Sequence, residues 1–119
     1  MHWEPIPWRL GFFASRKAKK GFNQRAQFPL NFSPATSEWP PEHALADDFD
    51  FARRTGTGFM AETDDEKFFL IHRDWFGWPD PPEWGLVSQS KANGGWQRWG
   101  SFNELPAIWT VPEIKYAED

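Results

Sequence analysis

Between residues 57 and 112 the chain runs in short apolar segments separated by turn residues, a spacing that predicts antiparallel strands. Thr57-Gly58-Phe59-Met60-Ala61-Glu62-Thr63 leads into Asp64-Asp65, and Glu66 to Asp74 returns. A tight turn centred on Asp64-Asp65 sets Glu62 opposite Lys67 and Met60 opposite Phe69, and the opposite charges favour that register. Phe68-Phe69-Leu70-Ile71 is apolar on both pleat faces, which predicts a central strand buried from both sides. Strand character resumes at Trp84-Gly85-Leu86-Val87-Ser88. Asn93-Gly94 is a hairpin turn signal, with Trp96 to Phe102 as the return strand. Ala107-Ile108-Trp109-Thr110-Val111, between Pro106 and Pro112, reads as a last short strand.

Upstream the pattern becomes helical. In 37–56, Leu45, Phe49 and Ala52 recur at helical intervals. Pro40-Pro41 suits a first turn, the acids Glu42, Asp47 and Asp48 lie toward the N-terminal half, Arg53-Arg54 close the C-terminal end, and Gly56 can terminate it. Residues 1–36 form an arm around a short basic stretch. There Ser15 is a candidate cap for a short helix over Arg16 to Gln27, with Gly21 in its middle at a cost of about 1 kcal/mol relative to Ala. Phe28-Pro29-Leu30-Asn31-Phe32 alternates and reads as an edge strand, where a proline is tolerated.

These elements predict a single α+β domain over 1–119: a small antiparallel sheet of about four to five strands with one or two short helices and an extended N-terminal arm. The parts are the basic aromatic arm 1–36, the helix 37–56, the antiparallel strands 57–112 and a tail 113–119. The central strand is expected to pack one face on the 37–56 helix and to take the aromatic arm on the other.

Composition narrows the class. The 119 residues include nine Trp, twelve Phe, one Tyr and eleven Pro. Disordered chains are poor in aromatics, so disorder is not expected. No apolar run approaches the ~20 residues of a membrane span. With no cysteine, disulfides and thiolate chemistry are excluded. The N-terminus lacks a basic start followed by an apolar stretch, and Pro5 and Pro7 interrupt it, so a cytoplasmic location is expected.

Charge divides the chain. Residues 1–36 carry six basic groups against Glu4, and residues 37–119 carry seven basic against sixteen acidic groups. The net charge of −4 therefore hides a basic arm and an acidic body. The arm either lies on the body or meets a separate anionic partner, nucleic acid or an acidic protein face, through Arg16, Lys17, Lys19 and Lys20. Phe12, Phe13 and Phe22 flank those cations, and cations with stacking rings are what single-strand binders use. The chain's acidic pI of 5.3 opposes a dedicated nucleic-acid role.

Catalytic signatures are sparse. Of three histidines, His2 is terminal, His43 falls in the first turn of the 37–56 helix, and His72 ends the central strand. A hydrolase or nuclease would use His72 as general base, Asp74 or Asp50 to orient it, and Arg73 for an oxyanion or phosphate. No nucleophile elbow accompanies them, and His72-Arg73-Asp74 lacks the partners of a kinase. His43, Asp47 and Asp50 have helical metal-ligand spacing, but a solvated acidic face is the commoner meaning, and no metal is expected. Thr55-Gly56-Thr57-Gly58 lacks the lysine of a phosphate loop. No cofactor is expected.

The aromatic half carries the strongest functional signal. Trp84, Trp96, Trp99 and Trp109 suit a sheet core. Trp75, Phe76 and Trp78 instead sit in a loop stiffened by Pro79, Pro81 and Pro82 and rimmed by Asp80 and Glu83. Pre-ordered aromatics of this kind dominate binding hot spots. The expected function is thus a non-enzymatic protein-interaction module that docks through Trp75, Phe76, Trp78, Asp80 and Glu83. It would act as an inhibitor, a neutralising protein or a phage or assembly accessory subunit. The alternatives are a carbohydrate-binding module using Trp platforms with Gln89, Asn93 and Gln97, a small hydrolase or nuclease using His72, and nucleic-acid contact through the basic arm.

Overall fold

The computed structural model describes residues 3–5, 11–35, 57–72 and 83–112. Among them are the strands β1 (Trp3–Glu4), β2 (Ser33–Pro34), β3 (Thr57–Glu62), β4 (Glu66–His72), β5 (Trp84–Ser90) and β6 (Trp96–Phe102), and the helix α1 (Phe12–Arg25). They build one antiparallel sheet in the order β1-β6-β5-β4-β3-β2. The mixed helix-and-sheet class is as expected, but the strands among the described residues number six rather than four to five. The surplus consists of β1 and β2, two-residue strands too short to show any periodicity.

The β3–β4 hairpin has the register expected from its charges, with Glu62 opposite Lys67 and Met60 opposite Phe69. Thr63 closes the turn: its hydroxyl accepts from the Asp65 and Glu66 amides, and its own amide donates to the Glu66 carbonyl. The β5–β6 hairpin turns at Asn93-Gly94, where Gly94 takes φ +71°, the left-handed conformation that favours glycine.

Residues opposite one another in the register share a face. One face presents Phe59 and Ala61 from β3, Phe68 and Leu70 from β4, Trp84 and Leu86 from β5, and Phe102 from β6. All are buried in one cluster with Phe22, Leu30, Phe32 and Trp109. On the opposite face Phe69, Ile71 and Val87 are also buried, so β4 is central and covered from both sides. The helix that covers the Phe68–Leu70 face is α1, with Ala18, Gly21 and Phe22 turned inward. The helix expected over 37–56 lies outside the described residues, as does the tail 113–119.

Four local expectations are corrected. The short helix expected over Arg16 to Gln27 is a 14-residue helix, Phe12–Arg25, so residues 11–35 are not an extended arm but a helix followed by a short edge strand. The helix starts at Phe12 behind Gly11, and Ser15 is no cap: its amide already donates to the Gly11 carbonyl inside the first turn. The edge strand sits at Ser33–Pro34 rather than 28–32. Residues 30–32 instead lie beside Thr110, whose amide donates to the Leu30 carbonyl and whose carbonyl accepts from Phe32. The strand expected over 107–111 reduces to that bridge, because Trp109 folds back in a turn onto the Pro106 carbonyl.

A β-bulge links sheet and helix. Leu86 pairs with Gly100 but Val87 pairs with Arg98, so Trp99 is the extra residue of β6. Released from the ladder, its indole packs against Gly21 so closely that a Cβ there would overlap the ring. Next to it, Gly100 has φ +115° and lies under the indole of Trp3, whose Nε1 donates to the Trp99 carbonyl at 2.9 Å.

Candidate functional site

The sequence of α1 sorts its residues onto two sides. Ala18, Gly21 and Phe22 face the sheet, with Ser15 and Arg25 half-buried at the margin. The outer side carries Phe12, Phe13, Arg16, Lys17, Lys19, Lys20, Asn23 and Gln24, all exposed. Phe12 and Phe13 are 67% and 83% exposed, with ring centroids 5.4 Å apart and planes at 76°. Arg16 lies over the Phe12 ring at 5.7 Å. Lys17, Lys19 and Lys20 form no ion pair among the described residues, and residues 11–35 contain no acid at all. Of the cations in the basic segment, Arg25 alone has an ion pair with the described body.

Arg25 turns inward because it ends the buried stripe of α1. Its guanidinium meets Glu66 on β4 and lies 3.6 Å from the centroid of the Trp99 ring. Glu66 also accepts from the Ser88 hydroxyl at 3.0 Å, and that oxygen accepts from Trp99 Nε1 at 2.8 Å. The four side chains form a closed ring of contacts between helix and sheet. A groove of about 560 Å³ opens beside it, lined among others by Gln24, Phe28, Leu30, Asp65 and Glu66.

His72 is placed by its register opposite Trp84, whose ring lies 4.5 Å away. Its side chain is 2% exposed, and Nε2 lies 2.8 Å from Glu83 Oε1. The Glu83 amide donates to the Asn103 side chain. Among the described residues, Glu83 is an acid beside His72. The proposed orienters Asp74 and Asp50 lie outside the described residues, with Arg73. The β4–β5 register that brings Glu83 to His72 is a long-range feature.

Of the expected docking loop, Trp75, Phe76, Trp78 and Asp80 lie outside the described residues. Glu83 is described, half-exposed and bound to His72. His2, His43, Asp47 and Asp50 are likewise outside; among the described residues no group of three or more His, Cys, Asp or Glu side chains is placed to hold a metal ion.

The tryptophans of the strand half are engaged with the protein itself. Trp84 and Trp109 are buried in the core cluster, Trp96 packs on Phe69 at 5.6 Å, and Trp99 lies between Arg25 and Gly21. Two of the three amides that would assist a sugar platform are tied into the β5–β6 turn: Gln89 Nε2 donates to the Gly94 carbonyl, and Asn93 Oδ1 accepts from Gly95.

No helix among the described residues is long and apolar enough to cross a membrane. No protein-family model matches the chain, and neither a curated protein nor a solved structure shows a significant likeness to it.

Proposed function

We propose that this chain is a non-enzymatic docking module that binds an anionic macromolecular partner through the outer side of α1. One observation carries the reading: Arg16, Lys17, Lys19 and Lys20 stand exposed beside two largely exposed phenylalanines, on a helix without acids. Large exposed rings in a small domain mark an interaction surface, and a one-sign charge patch steers an opposite one. Binding belongs here to α1. Trp75, Phe76, Trp78 and Asp80 are proposed as a second contact, with Glu83 beside His72. An inhibitor, a neutralising protein or an accessory subunit of a cytoplasmic assembly would use a module of this kind.

The test is retention on immobilised heparin at pH 7.5 and low salt. At net −4 the protein as a whole is repelled by that polyanion. Retention of the native chain, lost in Arg16→Glu/Lys17→Glu/Lys19→Glu/Lys20→Glu with an unchanged circular dichroism spectrum, supports the reading. Flow-through of the native chain, or equal retention of the variant, overturns it.

A further inference from the structure

The outer side of α1 holds one pattern written twice. Phe12, Arg16, Lys19 and Asn23 stand at i, i+4, i+7 and i+11; Phe13, Lys17, Lys20 and Gln24 repeat the spacing one residue later. Residues at these intervals line up along a helix. Two adjacent rows therefore run down the same side, each an aromatic ring, two cations and a side-chain amide. Every one of the eight residues is exposed. At 1.5 Å per residue each row spans about 16 Å. None of this serves the fold, since the helix is held by Ala18, Gly21, Phe22 and Arg25 on its other side.

We propose, resting on the docking role of α1, that the partner is a single-stranded nucleic acid, its bases stacked on Phe12 and Phe13 and its phosphates on Arg16, Lys17, Lys19 and Lys20. Two features favour it over an acidic protein face, and a third favours a single strand over a duplex. The rings are nearly perpendicular and open, which suits two unstacked bases and fits a single apolar slot poorly. Each row combines a ring able to stack on a base, cations for the phosphates and an amide able to hydrogen-bond a base edge or backbone oxygen, the contact types single-strand binding uses. A duplex offers the cations phosphates but gives the rings no base face, so the strand must be single. The acidic body does not forbid this. Its described acids nearest the helix, Asp65 and Glu66, line the groove at the Gln24 end rather than at the Phe12–Phe13 end, and Glu66 is paired with Arg25.

The experiment is fluorescence-anisotropy titration of the whole chain with labelled dT12, rU12, a 12-base-pair duplex and a 12-residue poly-Glu peptide over a series of salt concentrations. Expected is binding to the single strands above the duplex, with log Kobs falling against log salt at a slope of about −3, the value for four cations on a single strand. Phe12→Ala and Phe13→Ala should each weaken dT12 roughly tenfold without changing that slope. The single-strand inference is overturned by equal or tighter binding to duplex or poly-Glu, or by no effect of the ring substitutions. If poly-Glu binds alone and the four-Glu variant loses it, the docking role of α1 stands without the nucleic acid. If no polyanion binds, both fall. Preference between dT12 and rU12 identifies DNA or RNA as the source of the strand.

Discussion

Arg25 and Glu66 meet across the helix–sheet junction as a fork: Nε donates to Oε2 at 3.1 Å and Nη2 to Oε1 at 2.6 Å. The same guanidinium lies over the Trp99 ring and donates through Nη1 to the Gly21 carbonyl. A lysine can supply the charge but neither the fork nor a planar group over the indole. Arg25→Lys is expected to lower the unfolding free energy by about 1–2 kcal/mol, read as a shift in the urea midpoint at constant slope.

Gly21→Ala tests the Trp99 contact. Helix propensity alone predicts a gain of about 1 kcal/mol. The added methyl would meet the Trp99 ring, and overpacking of that kind costs about 1–3 kcal/mol, so the melting temperature should fall. In a Trp99→Leu background the clash is gone and the same substitution should be neutral or stabilising.

Trp109 joins the segment after β6 to the core. Its ring centroid lies 5.4 Å from that of Phe32, 6.0 Å from Phe102 and 6.2 Å from Phe22, and Nε1 donates to the Arg25 carbonyl. Trp109→Ala is expected to cost about 3–5 kcal/mol. That is a large part of a domain's usual 5–15 kcal/mol, and loss of the cooperative thermal transition near room temperature would be its sign.

Glu62 and Lys91 give a pH dependence. The Lys91 ammonium, by its hydrogen bond and then by its charge, holds the Glu62 carboxyl below its ordinary 4.5. A carboxyl that titrates lower folded than unfolded adds stability that is complete above 4.5 and disappears as pH falls through the folded value. Lys91→Met should bring the Glu62 midpoint up toward 4.5 in a carboxyl-carbon NMR titration. In high salt the native shift should shrink, since the pair is exposed.

The cations of α1 are expected to be dispensable for folding. Lys17→Gln/Lys19→Gln/Lys20→Gln should leave the melting temperature within a few degrees, since exposed substitutions are usually worth less than ~0.5 kcal/mol each. A large drop would mean that these side chains hold the helix in place.

Local pattern explains which elements the sequence revealed. The β3–β4 and β5–β6 hairpins were legible because turn residues, alternation and the Glu62–Lys67 pair all lie within a few positions of one another. α1 was legible as a helix but not in its extent: Phe12 and Phe13 lie on the exposed side, against the apolar stripe, and Gly11 at the start gives no side-chain signal. Gly21 looked like a flaw in the helix and proved to be the seat of Trp99. The strands β1 and β2 were not legible, since each has two residues and a partner fixed only by the assembled sheet. The four cations of the site could be read from their clustering. The paired rows that include Asn23 and Gln24 needed the helix to be in place, and the His72–Glu83 contact needed the β4–β5 register.

β1 and β2 occupy the two opposite edges of the sheet, and α1 lies between them in sequence. The stretch from Trp3 to Pro34 is thus a strap buckled at both ends over a meander of four sequential strands. The meander closes through neighbours, whereas pairing Trp3 with Phe102 must first bring together positions nearly a chain length apart, a slow step by its contact order. The strap should therefore fasten last and release first. In native-state hydrogen exchange, the amides of α1 and its two flanking strands should open together at a lower free energy than those of β4 and β5.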